Sequence, residues 1–259
     1  MFDAVEGIKF GYVLCGIIWA IALGFAAGNY ACSLVHRLPR GRLLLDKKPY
    51  CGNCGTLLEV RDLFPVVSAL MLRHRCRYCK TPFPVSHTWT EILVGLLFVL
   101  GFLEYNFSEQ MLLIVTIGVF LITLAAIQAN EGMIMGKIIL CIIIFGTLYR
   151  TLEDHTIYNF FLGGLNGLVL GALIWRKQIK PVGHIFILPD PAVLMTTGAL
   201  CVGAKALPWF LVLYASFYAV DWIIRKLFHV LKPPLITVSF GLATILPVLY
   251  PKLILVMHF

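Results

Sequence analysis

Long apolar stretches recur along the chain from Gly11 to Phe259, and they constrain its fold more than any other feature. A helix that crosses a bilayer core about 30 Å thick needs about 20 mostly apolar residues. The residues are 60% apolar and 13% charged, whereas soluble domains are about 45–50% apolar and about 25% charged. We therefore expect an all-α polytopic membrane protein with about eight transmembrane helices, which excludes an ordinary soluble domain. The predicted spans are 11–35, 90–103, 111–129, 133–149, 157–175, 189–204, 207–224 and 235–256.

The basic residues divide unevenly between the two sides of such a bundle. The polar segment 36–89 holds ten of the 21 Lys and Arg residues, and alternate loops give 17 on its side against 4 on the other. Cytoplasmic loops carry the excess of Lys and Arg, so we expect this segment in the cytoplasm and both termini outside. We expect no cleavable signal peptide and no nucleic-acid partner. The predicted parts are a first transmembrane helix (1–35), a cytoplasmic module (36–89) and a transmembrane bundle (90–259).

Two Cys-x-x-Cys pairs lie in the cytoplasmic module, Cys51 with Cys54 and Cys76 with Cys79, separated by 21 residues. This spacing is typical of a structural zinc site in which four thiolates surround one tetrahedral ion. A module this short buries little core, so bound Zn²⁺ would supply much of its folding free energy. A disulfide pair and thiol–disulfide chemistry are the alternatives. Both require an oxidising compartment, which disagrees with a cytoplasmic module.

Segment 28–39, the two cysteine pairs, Asp62-Leu-Phe-Pro65 and Glu91 lie along the first 91 residues of the chain. In their identity and order these motifs resemble type IV prepilin peptidases, with segment 28–39 at the end of that family's first span. The likeness weakens beyond about residue 125. It implies a bifunctional enzyme of the bacterial inner membrane. Such an enzyme cleaves the leader of type IV prepilins or pseudopilins on the cytoplasmic side, then N-methylates the new N-terminus with S-adenosylmethionine.

The same resemblance locates two catalytic aspartates, and this chain departs from the pattern at both motifs. The first aspartate position is Gln128, and Met135-Gly136 replaces the family's Pro-Asp. The second is Asp190, which keeps the carboxylate without the surrounding glycines and lysine. Because a neutral amide cannot act as a general base, Gln128 cannot complete a carboxylate pair with Asp190. Glu131, three residues further on, is the candidate replacement.

Each candidate acid also has a structural interpretation. Glu131 precedes a glycine and equally suits a solvated turn, and Asp190 is a favourable residue at a helix N-terminus. We expect Asp221 to pair with Arg225 at the i,i+4 spacing. Two functions therefore remain open: a prepilin peptidase that uses Asp190 and Glu131, or a catalytically impaired homologue that binds prepilins as a membrane scaffold.

Overall fold

A computed structural model describes residues 2–41, 53–57, 75–82, 86–154, 158–174, 180–182, 185–187, 190–227 and 236–249. The described part is dominated by α-helices, which confirms the expected fold class. These are α1 (Phe2–Arg37), α2 (Ser86–Tyr105), α3 (Glu109–Glu131), α4 (Gly136–Asp154), α5 (Tyr158–Ile174), α6 (Asp190–Leu227) and α7 (Ile236–Leu249). A 3₁₀ turn, Leu38–Arg40, follows α1. Strands β1 (Lys180–Val182) and β2 (Ile185–Ile187) form a short antiparallel hairpin that the sequence analysis does not predict.

Each of the eight predicted spans overlaps one of these helices, and the sixth and seventh both overlap α6. Four helical segments of the described chain are long and apolar enough to cross a membrane: Gly11–Arg40, His87–Tyr105, Glu109–Glu131 and Asp190–Leu227. Helices α5 and α7 are apolar but shorter. The chain is therefore a polytopic helical membrane protein.

Helix α6 consists of two arms that fold back on each other at Gly203. That glycine has φ 78° and ψ 170°, a conformation that residues with a Cβ rarely adopt. In a straight helix, Gly198 and Phe210 would lie about 18 Å apart. Instead, a Cβ added at Gly198 would lie 2.5 Å from the Phe210 ring. The two arms correspond to the two separate spans that the sequence predicts here.

Arg150 of α4 stabilises the end of the first arm of α6. Its Nε donates to the carbonyl oxygen of Cys201 at 2.8 Å, and its Nη2 donates to the carbonyl oxygen of Val202. The last carbonyl groups of a helix have no partner within the helix. The guanidinium group therefore satisfies acceptors that the break at Gly203 leaves open.

The chain divides into two compact units, 1–111 and 112–259. In the first unit, glycines bring the backbones of α1 and α2 close together. A Cβ added at Gly24 would lie 2.8 Å from the Cα of Gly95, and one at Gly28 would lie 2.9 Å from the Cα of Glu91. Small residues permit this approach in membranes, where packing rather than water exclusion drives helix association.

In the second unit, α5 packs on the first arm of α6 through buried glycines. A Cβ at Gly163 would lie 2.9 Å from the Cα of Gly203, and one at Gly171 would lie 3.2 Å from the Cα of Ala192. The early part of α5 thus meets the end of the arm, and the late part of α5 meets its start. The two segments run antiparallel.

Candidate functional site

Three of the four predicted zinc ligands converge in the described part of segment 36–89. The sulfur atoms of Cys54, Cys76 and Cys79 all lie within 4.8 Å of one another. A tetrahedral Zn²⁺ with Zn–S bonds of about 2.3 Å separates its sulfur ligands by about 3.8 Å. The three thiols therefore fit one metal ion, and none of them forms a disulfide. Cys51, the fourth predicted ligand, lies outside the described residues.

Tight backbone turns position these thiols. The Cys76 N–H donates to the Thr81 carbonyl oxygen at 2.9 Å, and the Lys80 N–H donates to the Cys76 carbonyl oxygen at 3.0 Å. The residue after the second cysteine of each pair has a positive φ, 71° at Gly55 and 60° at Lys80. This left-handed residue turns the chain back around the sulfur of the preceding cysteine.

Hydrogen bonds around Cys79 favour its thiolate. The Thr81 hydroxyl oxygen lies 3.2 Å from Cys79 Sγ, and Asn53 Nδ2 lies 3.7 Å from the same sulfur. The hydroxyl and backbone groups of Thr81, followed by the Asn53 amide, lower the pKa of Cys79 from 9.0 to about 5. The thiolate is the form that binds metal, so these neighbours prepare Cys79 for ligation at neutral pH.

The two candidate catalytic acids both lie at helix ends and are exposed. Glu131 is the last residue of α3, followed by Gly132 with φ 72°, whose N–H donates to the Gln128 carbonyl oxygen at 3.0 Å. This is a left-handed glycine cap, so Glu131 belongs both to the helix and to the turn. Asp190 is the first residue of α6.

Packing within the second unit puts both acids at the same end of its bundle. Helices α4 and α5 are joined by three residues, 155–157, so the end of α4 and the start of α5 share one end. The late part of α5 and the start of α6 therefore reach the opposite end, where α4 begins. Only four residues separate α3 from α4, so α3 finishes at that end too. Glu131 and Asp190 therefore lie at the same end of the bundle.

Gln128 of α3 makes contacts with the start of α7. Its side-chain Oε1 accepts a hydrogen bond from the Thr237 N–H at 3.0 Å and a second from the Thr237 hydroxyl. Thr237 is fully buried. The amide oxygen therefore caps the α7 N-terminus, where N–H groups lack partners within the helix.

Asp221 makes the predicted structural contact. Its Oδ2 accepts a hydrogen bond from Arg225 Nε at 2.8 Å, one helical turn away on the second arm of α6. The expected i,i+4 pair is confirmed.

Sequence reasoning missed three residues that support these sites. Thr81 belongs to a repeat visible in the chain, since both cysteine pairs continue as Cys-x-x-Cys-x-Thr. Asn53 has no such signal, because Tyr78 takes its position in the second pair. Thr237 has no such signal, because its contact with Gln128 joins residues 109 positions apart.

Comparisons with known proteins agree with this architecture. Residues 22–105 match the family model described as Bacterial Peptidase A24 N-terminal domain. A prepilin leader peptidase/N-methyltransferase of Burkholderia pseudomallei (strain 1026b) is 25% identical over 230 residues, covering 74% of this chain and 71% of that protein. One of Klebsiella pneumoniae is 27% identical over 199 residues, covering 73% of this chain and 86% of that protein.

A similarly named protein of Myxococcus xanthus (strain DK1622) is 26% identical over 114 residues, covering 44% of this chain. The chain spans about a third of that relative's length, 34%. No solved structure matches the chain significantly.

Proposed function

We propose that this chain cleaves the leader of type IV prepilins or pseudopilins and N-methylates the new N-terminus, because it is similar to prepilin leader peptidases/N-methyltransferases. The observation that carries the proposal is the match of 22–105 to the peptidase domain, together with relatives covered over most of their length. The substrate is a membrane-anchored protein, so the lipid bilayer is a second partner.

The proposed catalytic groups are Asp190 and Glu131. A carboxylate pair hydrolyses a peptide bond when one group, ionised, takes a proton from water while the other, protonated, donates to the substrate carbonyl oxygen. Both acids are exposed at one end of the bundle, where a substrate segment leaving the membrane can reach them. Moving the acid from position 128 to 131 shifts it by about 4.5 Å along a helix, so the substrate must sit in a shifted position.

The cysteine-rich module, 36–89, is proposed to fold around one structural Zn²⁺ held by Cys51, Cys54, Cys76 and Cys79. Four protein thiolates leave no open coordination position, so the ion stabilises the module and takes no part in hydrolysis. The excess of basic residues supports a cytoplasmic position for this module in a bacterial inner membrane.

Methyl transfer is proposed from the family alone. The only sheet among the described residues is the hairpin of β1 and β2, so they do not form the usual α/β fold of S-adenosylmethionine-dependent enzymes.

One observation favours the second candidate function, a membrane scaffold that binds prepilins without cleaving them. Gln128 is neutral, whereas catalysis needs a carboxylate. Its Oε1 also accepts hydrogen bonds from the Thr237 N–H and hydroxyl. In such a scaffold, Asp190 caps α6 and Glu131 is a surface residue.

Prepilin cleavage by membranes that contain this protein distinguishes the two functions. We expect cleavage by the parent chain and a loss of at least about 10²-fold with Asp190→Ala or Glu131→Gln, the usual effect of removing a general acid or base. Asp221→Asn is the matched control, because this acid makes a structural ion pair. Equal cleavage by Asp190→Ala and the control would contradict the proposed catalytic pair.

A further inference from the structure

A hydrogen bond between two residues other than the cysteines joins the two cysteine pairs of the module. Asn53 lies between the two cysteines of the first pair, and its Nδ2 donates to Thr81 Oγ1 of the second pair at 2.7 Å. The two residues are 28 positions apart. This hydrogen bond therefore fixes one turn of the chain against the other.

Thr81 has a central position in this arrangement. Its carbonyl oxygen accepts from the Cys76 N–H, and its hydroxyl oxygen lies 3.2 Å from Cys79 Sγ. A hydroxyl group has one hydrogen to donate and two lone pairs that accept. When Asn53 donates to the hydroxyl oxygen, the hydroxyl hydrogen remains available for the sulfur of Cys79.

The first cysteine pair carries an equivalent threonine. Thr56 Oγ1 lies 3.3 Å from Cys54 Sγ, close to the 3.2 Å separation of Thr81 and Cys79. The second pair resembles the first in its Cys-x-Thr ending. Within the described part of the chain, the Asn53 amide contacts the Thr81 hydroxyl and the Cys79 sulfur, so it supports the second pair.

We infer that Asn53 and Thr81 are positioning residues for the metal, forming a clamp that holds the thiols of Cys54, Cys76 and Cys79 at ligand distance before Zn²⁺ binds. This inference rests on the proposed zinc site. In this clamp, the Thr81 hydroxyl donates to the Cys79 thiolate and stabilises its charge. Asn53 orients that hydroxyl by donating to its oxygen. Partners of metal ligands act in this way, and their loss usually costs about 10–100-fold in metal affinity.

The test measures zinc affinity of the full-length protein in detergent by competition with a chelator, with Zn²⁺ content determined by mass spectrometry. We expect Asn53→Ala and Thr81→Val each to weaken zinc binding by about 10–100-fold, and Thr81→Ser to restore it. The double variant should lose less than the product of the single losses, because the two residues act through one hydroxyl. Thr116→Val is the matched control, since its hydroxyl donates only to the Leu112 carbonyl oxygen within α3.

Cobalt substitution supplies a readout that a general loss of stability would not produce. We expect Co²⁺-loaded Asn53→Ala to keep a tetrahedral four-thiolate absorption spectrum while its metal dissociates faster than from the parent. Parent-like zinc affinity in both single variants would overturn the clamp and leave the zinc site standing. A parent protein that binds neither metal would overturn the zinc site and the clamp together.

Discussion

The contact between Gln128 and Thr237 permits a quantitative prediction about the α7 N-terminus. Gln128→Ala removes an acceptor from the Thr237 N–H and from its hydroxyl, and Thr237 is fully buried. A buried donor left without a partner costs about 1–3 kcal/mol. Two donors lose their acceptor, but water can reach the half-buried Gln128 position in part. We therefore expect the variant to lose about 2–4 kcal/mol of unfolding free energy.

Two companion variants separate the interactions. Gln128→Glu keeps an acceptor, and its negative charge near a helix N-terminus is stabilising by about 0.3–1 kcal/mol, so it should lose much less than the alanine variant. Thr237→Val removes the hydroxyl but keeps the N–H, and should cost about 1 kcal/mol. Unfolding by a denaturing detergent, followed by circular dichroism, measures these differences. A Gln128→Ala protein within about 0.5 kcal/mol of the parent would refute the capping role, because uninvolved substitutions change stability by no more than that.

Three further predictions concern other parts of the chain. In metal-stripped protein, hydrogen bonds from Thr81 and Asn53 favour the Cys79 thiolate above its pKa of about 5, and the thiolate is lost as the pH falls through that value. Iodoacetamide labelling of Cys79, followed by peptide mass spectrometry, should therefore decline near pH 5. A decline near pH 9 would contradict the role of these hydrogen bonds. Gly167→Leu should destabilise the bundle by at least about 1–3 kcal/mol in thermal unfolding, since a Cβ there would lie 2.5 Å from the Cβ of Ala199. Arg150→Met should lower the melting temperature and expose the Gly203 break to proteolysis; an unchanged digestion pattern would argue against its role at that break.

The fold is largely predictable because the bilayer restricts which backbone structures can cross it. An apolar run of about 20 residues forms a helix there, because the backbone groups have no water to bond with and a helix satisfies them within the segment. The two arms of α6 were predicted as separate spans because Lys205 interrupts the apolar run next to Gly203. The hairpin of β1 and β2 was not predicted, because three-residue strands are too short to produce an alternating pattern.

The candidate sites were predictable to different degrees. Metal ligands repeat at fixed spacing, so the cysteine pairs can be recognised in the sequence. The threonine that follows each pair is also visible in the sequence, but its role becomes clear only from the geometry. The Gln128 contact was beyond prediction because side-chain pairing across 109 positions depends on how α3 and α7 pack. Whether an acid at a helix end is catalytic or a cap depends on what faces it, which local sequence does not encode.

The most direct test of the proposed function is the intact mass of a type IV prepilin expressed with this protein in a host without a prepilin peptidase of its own. The account predicts a pilin that has lost its leader and gained one methyl group at the new N-terminus, and an unprocessed prepilin with Asp190→Ala. An unprocessed prepilin beside a folded, zinc-loaded parent chain, with processing gained on Gln128→Asp, would contradict the account and identify a scaffold that lacks one catalytic carboxylate.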